Sequence, residues 1–354
     1  MNPFKINPAD INEELSRFSR KLTEGLSTLR EMGEPETAGS DKQCVYEEDK
    51  LRLYHFAART EEAITTPVII VYALVNRPYV ADLQEDRSFI RGLLDAGLDI
   101  YLIDWGYPDA GDSSLELSDY INRYIHNCVN YICKEHDLKK INMLGICQGG
   151  VFSLCYSALY PGKIANLITT VTPVDFHTDK DRLSNIVRHV DIDLCVDTFG
   201  NLPGSFLNWV FLSLKPHRLM GQKYVDMVDI LDDEIKIQNF VRMEKWIFDS
   251  PDQAAGAFRQ FVKQFYQENS LIRGAVEIDD KIVDLKNIRI PVLNVYAEED
   301  HLVPPESSQA LAACIGTEDY RELAVPGGHI GIYVSRKNQS TLSKDIGNWL
   351  KHRD

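Results

Sequence analysis

The amino-acid sequence predicts an α/β fold, a mostly parallel sheet with helices on both faces and an inserted, mainly helical cap. Three observations predict it. Short apolar runs alternate with helical stretches through the first half of the chain. The alternation stops near Asp175 and resumes near Ile290. One apolar run ends in Gly145-Ile146-Cys147-Gln148-Gly149, the layout of a strand–turn–helix elbow that raises a nucleophile.

The elements follow in order. Ile11, Leu15, Phe18, Leu22, Leu26 and Leu29 recur at spacings of three and four, so Asp10 to Met32 reads as an amphipathic helix packed on its own domain. The Gly/Pro/Ser/Thr stretch Gly33 to Lys42 reads as a loop, and Lys50 to Ala57 alternates as an early strand. The continuous run from Pro67 to Val75 fits a strand buried on both faces. A helix over Arg87 to Ala96 ends at Gly97; a strand over Asp99 to Gly106 and a helix over Leu117 to His136 come next. The strand leading to Cys147 passes directly into a helix over Val151 to Tyr160, and Asn166 to Thr172 is a further strand. Strands alternating with helices specify a parallel sheet. From 175 to 284 the pattern is helical and rich in aromatics, with Met243 to Phe248 and Asp252 to Tyr266 as the clearest helices. Strands return at Ile290 to Ala297 and Tyr320 to Val325, and a helix over Leu342 to Lys351 closes the chain. The expected organisation is an N-terminal helical segment (1–40), a core made of 41–174 and 285–354, and a cap over 175–284.

Composition narrows the function classes. The 354 residues are 44% hydrophobic and carry 53 acidic against 38 basic side chains, a net charge of -15. Such a chain lacks the basic field that duplex binding needs, so nucleic acid is not an expected partner. The seven cysteines (Cys44, Cys128, Cys133, Cys147, Cys155, Cys195 and Cys314) are odd in number and contain no Cys-x-x-Cys pair. Neither a disulfide framework nor a zinc site is expected, and the pattern fits a reducing cytoplasm. No cofactor is implied. The first residues form no apolar h-region, so no signal peptide is expected. No apolar run approaches the ~20 residues that span a bilayer.

The chemistry centres on Cys147. Glycines at 145 and 149 allow a turn so tight that a Cβ at either position would collide with backbone. Asp300 follows one late strand and His329 follows the last, each just past the carboxyl end of its strand, where the loops of an open parallel sheet converge. The order nucleophile, acid, histidine is that of an α/β-hydrolase triad, so the expected fold is the α/β-hydrolase fold. A free thiol is mostly protonated at neutral pH; His329 takes its proton, and Asp300 orients the ring and stabilises its charge. The oxyanion needs two donors. One expected donor is the backbone amide of Gln148. The other lies after the Val68–Val75 run, at Leu74, Val75 or Asn76, with Val75 preferred. Glu298 and Glu299 are rival acids, disfavoured by their place at the strand end, and His301 reads as structural or pocket-lining. Asp104 and Trp105 read as ordinary packing by default, with a cap on a strand end near the pocket as the alternative, and Cys155 reads as core. The other histidines (His55, His126, His136, His177, His189, His217 and His352) show no metal-ligand spacing.

These segments resemble a known family. Gly145-Ile146-Cys147-Gln148-Gly149-Gly150 is similar to the lipase-like box of polyhydroxyalkanoate synthases. Asp104 to Pro108, Thr172 to Phe176, Met243 to Trp246, Asp300 to Pro305 and Gly327 to Gly331 resemble other stretches of that family, and the match runs from about Cys44 to the C-terminus. The length resembles the short catalytic subunit of the two-component, class III enzymes. The resemblance implies an (R)-3-hydroxyacyl-coenzyme A substrate, chiefly 3-hydroxybutyryl-coenzyme A, polymerised through acyl-cysteine on Cys147. It also implies a second, non-catalytic subunit, a homodimer of catalytic subunits, and attachment to polyester granules in the cytoplasm. In this family the aspartate is also proposed to help activate the attacking hydroxyl, which leaves the role of Asp300 open between the two. Two other readings stand beside it: a cysteine hydrolase or thioesterase of the same fold, similar to dienelactone hydrolases, and a non-catalytic granule or scaffold protein.

Overall fold

The computed structural model describes residues 39–60, 63–231 and 233–354. The expected helix over Asp10 to Met32 lies outside the described residues. The chain divides into two compact units. One comprises 39–207 and Asp249–Asp354 of the described residues; the other contains Asn208–Phe248.

The larger unit is built on eight strands: β1 (Gln43–Glu48), β2 (Leu51–Phe56), β3 (Val68–Val71), β4 (Ile100–Asp104), β5 (Ile141–Ile146), β6 (Ile164–Thr170), β7 (Val292–Ala297) and β8 (Tyr320–Val325). Their order in the sheet is β1-β2-β4-β3-β5-β6-β7-β8. β1 pairs antiparallel with β2, and β2 antiparallel with β4; every later pairing is parallel. Burial accounts for the residue types. All four residues of β3 and all six of β5 are buried, as central parallel strands covered on both faces must be. β1 lies at the sheet edge and exposes half of its residues.

Side chains alternate across the sheet. Ile69, Tyr101, Ile103, Ile141, Met143 and Leu167 share one core with Ile121, Ile125, Val129, Phe152 and Leu154. These last come from a helical stretch in which Asp119–Ile125 runs into His126–Glu135, and from the helix Gln148–Leu159. The alternate set, Val68, Ile70, Leu102, Leu144 and Ile168, is equally buried. The helices Phe89–Asp95 and Arg336–Lys351 pack closely on each other; a Cβ on Gly92 would run into Ser343. Parallel sheet, covered faces and strand order together are those of an α/β-hydrolase fold.

Between β6 and β7 the chain is mainly helical: Arg182–Val187, Ile192–Phe199, Gly204–Ser213, Lys223–Val228, Glu234–Phe248 and Ala255–Phe261, followed by a small hairpin of Val276–Ile278 and Lys281–Val283. Within the smaller unit, Val228, Leu231 and Ile237 form a local core. Glu244, from the Met243–Trp246 motif, pairs with Lys223 at 2.7 Å and accepts from the Tyr224 hydroxyl at 2.8 Å.

Candidate active site

Cys147 sits between β5 and the helix Gln148–Leu159 with φ 55° and ψ -120°. A side-chain-bearing residue avoids that region unless its surroundings force it. Here the glycines allow the neighbours to do so. A Cβ on Gly149 would lie 2.7 Å from the Tyr72 carbonyl, one on Gly145 would strike Gly150 and Ser153, and one on Gly150 would strike Thr172. The Cys147 amide continues the sheet by donating to the Thr170 carbonyl at 2.9 Å. The thiol is half-buried.

Asp300 and His329 arrive on separate loops, after β7 and β8. Nδ1 of His329 and Oδ2 of Asp300 are 2.7 Å apart, and both residues are buried. The other carboxylate oxygen accepts from the amides of Leu302 (2.9 Å) and Val303 (3.0 Å), so the aspartate cannot rotate away without losing two bonds. Glu298 and Glu299 are exposed, which removes them as partners of the buried ring. Cys147 lies near enough to act electrostatically on the His329 ring. Burial works against the charged ring, yet the Asp300 carboxylate and the Cys147 sulfur outweigh it and hold the imidazole well above its usual range. Of the three sequence-predicted side chains, Asp300 and His329 are hydrogen-bonded to each other, and Cys147 lies close enough to bear on the same ring. Three phenols (Tyr72, Tyr266 and Tyr333) lie near enough to feel Cys147, and burial pushes each well up, so they remain neutral walls.

The loop after β3 is held from several directions. Nε1 of Trp105 donates to the Tyr72 carbonyl at 2.9 Å. The Leu74 amide donates to the side-chain oxygen of Gln148 at 3.0 Å, and the Leu74 carbonyl accepts from Nε2 of Gln253 at 3.0 Å. Asn76 is left-handed, with φ 61°, and its side chain donates to the Ser250 hydroxyl at 2.6 Å. The Leu74 amide is thus occupied, which removes it from the three expected donors. Gln148 opens its helix, so its amide has no carbonyl one turn back to bond. Trp105 does more than pack. Its indole N–H and the 2.6 Å pair of Arg77 with Asp104 tie the β4 end to this loop. Cys155 is core, its thiol pushed up by burial. Gln253 and Ser250 escaped the sequence reading; nothing local marks a glutamine and a serine in an aromatic-rich stretch as partners of a distant loop.

Residues 66–335 match the model of the alpha/beta hydrolase fold, and residues 5–93 match that of the poly-beta-hydroxybutyrate polymerase (PhaC) N-terminus. Over the whole of both chains, the sequence is 57% identical to the poly(3-hydroxyalkanoate) polymerase subunit PhaC of Allochromatium vinosum and 56% identical to that of Thiocystis violacea. The chain belongs to the poly(3-hydroxyalkanoate) polymerase family. A further family member, from Synechocystis, is 51% identical over 95% of this chain and 91% of its own. Solved structures are more distant and speak to the fold. A monoacylglycerol lipase of Paleococcus ferrophilus superposes with a TM-score of 0.52 at 14% identity, over 86% of this chain and all of its own. Rv0554 of Mycobacterium tuberculosis gives 0.52 at 13% identity, over 86% and 94%. Among the described residues, no helix is long and apolar enough to cross a membrane.

Proposed function

We propose that the chain polymerises (R)-3-hydroxyacyl-coenzyme A, chiefly 3-hydroxybutyryl-coenzyme A, into polyhydroxyalkanoate and releases coenzyme A. The observation that carries this reading is the buried His329–Asp300 hydrogen bond beside the Cys147 elbow, in a chain that matches named polymerase subunits over its whole length.

Cys147 is the nucleophile. His329 holds its proton, so the sulfur attacks the thioester carbonyl as thiolate. The new C–S bond pushes the carbonyl electron pair onto oxygen, where the amides of Gln148 and Val75 receive it. Collapse breaks the bond to coenzyme A, which leaves with the proton from His329. One thioester has become another, so little of the acyl group's reactivity is lost. Neutral His329 then takes the proton of a hydroxyl, on a bound hydroxyacyl unit or a chain end. That oxygen attacks the acyl-cysteine and expels the Cys147 thiolate. Imidazolium and thiolate are restored, and the ester chain is one unit longer. Asp300 keeps the ring aimed and its charge stabilised.

Water is limited at the acyl-cysteine by the buried surroundings of the site, so that the alcohol competes successfully for the acyl group. The active assembly is a homodimer of this subunit with a second, non-catalytic subunit, in the cytoplasm at the surface of polyester granules.

The test is to incubate the purified chain with 3-hydroxybutyryl-coenzyme A, with and without the second subunit, following thiol release and turbidity. Insoluble polyester is the expected product. Free 3-hydroxybutyrate alone would assign a thioesterase instead. Cys147→Ala should lower coenzyme A release by about 10⁴-fold or more; unchanged release would remove the cysteine from the mechanism.

A further inference from the structure

The peptide that joins Leu74 to Val75 is held by a residue far away in sequence. Its carbonyl, on Leu74, accepts from Nε2 of Gln253 at 3.0 Å. In a trans peptide the C=O and the following N–H are coplanar and point in opposite directions. A group that fixes the Leu74 carbonyl therefore aims the Val75 amide. Gln253 is suited to that task. It is 3% exposed, and its backbone is bridged to Leu202 by two N–H···O bonds of 2.9 Å. The same Nε2 reaches the Pro251 carbonyl at 3.3 Å, which restricts the side chain to one direction. On the other side of Leu74, the side chain of Gln148 accepts from the Leu74 amide. Two carboxamides thus bracket one residue, and Gln148 supplies from its own backbone the other expected oxyanion donor.

We infer that Gln253 is a positioning residue for the oxyanion site: by gripping the Leu74 carbonyl it directs the Val75 amide at the developing negative oxygen. The inference rests on the acyl-cysteine reading given above. It also ties the chain reversal at Leu202 and Gln253, where the segment between them leaves and re-enters, to the geometry of the reacting carbonyl.

The experiment separates oxyanion geometry from thiol reactivity. Gln253→Met keeps the volume and removes the donor; Gln253→Glu keeps the shape and places an acceptor against a carbonyl. Two rates are measured for each variant on the full chain. The first is single-turnover release of coenzyme A from 3-hydroxybutyryl-coenzyme A. The second is alkylation of Cys147 by iodoacetamide, followed on its own peptide by mass spectrometry. Alkylation displaces iodide and forms no oxyanion, so it reads the thiolate alone. Release should fall about 10- to 100-fold, less than the loss of a whole donor, and alkylation should stay within about two-fold of the wild type. Release within about two-fold of the wild type overturns the inference. So does a parallel fall of both rates, or failure of both variants to fold, because Gln253 would then serve only the general architecture. Coenzyme A release that survives Cys147→Ala would instead overturn the catalytic reading itself, whatever the Gln253 variants do.

Discussion

The elbow at Cys147 and the loops that face it are held in place by different physics. The elbow is held by shape. Cys147 sits at φ 55° because three glycines let Val71, Tyr72, Ser153 and Thr172 close around the turn. The facing loops are held by hydrogen bonds, most of them from distant parts of the chain. Trp105, Gln148 and Gln253 fix residues 72–74, Ser250 bonds Asn76, and two amides fix Asp300. Sterics tolerate almost no substitution and respond as all or nothing. Hydrogen bonds can be removed singly, so their losses should be graded.

The largest effect expected on the polar side is that of Asp300→Asn. The amide cannot hold the His329 ring in the same tautomer, and release of coenzyme A should fall by about 10²- to 10⁴-fold. The titration of the ring should move as well. With Asp300 and Cys147 holding the imidazole well above its ordinary value, the wild-type ring stays charged to a higher pH than that of the variant, which NMR of the labelled histidine would read. The sign for stability follows. A histidine raised on folding contributes stability that is fully present below its unfolded value of about 6.5 and is lost as pH rises through its folded value. The melting advantage of wild type over Asp300→Asn should therefore shrink as the solution is made more alkaline through that window. An advantage that grows with pH would contradict the assignment.

Gly149→Ala tests the elbow by shape alone. The new methyl meets the backbone of Val71 and Tyr72, which cannot give way without moving β3. The expected cost is about 3 kcal/mol of stability, together with loss of iodoacetamide reactivity at Cys147. Urea unfolding measures the first and peptide mass spectrometry the second. Wild-type values for both would show that the turn has slack and would erase the contrast with the loops.

Ser250→Ala is the mildest cut. It removes one hydrogen bond from Asn76 and leaves Gln148, Gln253 and Trp105 in place. A stability loss of about 1 kcal/mol and less than about ten-fold in rate are expected. A loss as large as that of Asp300→Asn would mean that the loop depends on this one contact rather than on shared support.

The sequence reading located the elbow and the strands because their determinants are neighbours in the chain. The run Ile141 to Ile146 predicts a buried strand, and Gly145-x-Cys147-x-Gly149 predicts the turn, since the pattern that marks the turn lies within five consecutive residues, although Tyr72 and Thr172, which close on it, come from elsewhere in the chain. Helix limits were less legible. The closing helix begins at Arg336 rather than Leu342, because its first turn is polar and carries little apolar periodicity.

What the chain order determined by itself was a list of reactive groups placed after strands. The tertiary structure chose among them. Glu298, Glu299 and Asp300 are adjacent and chemically alike, yet only Asp300 is buried and bonded to His329. Leu74, Val75 and Asn76 were all candidate donors, with Val75 preferred, until Gln148 took the Leu74 amide. Gln253 lies 179 residues from Leu74 and became visible only when the two were brought within 3.0 Å. Local sterics can be read from neighbouring residues, whereas a hydrogen bond between distant segments exists only once the sheet and the loops have set both partners in place.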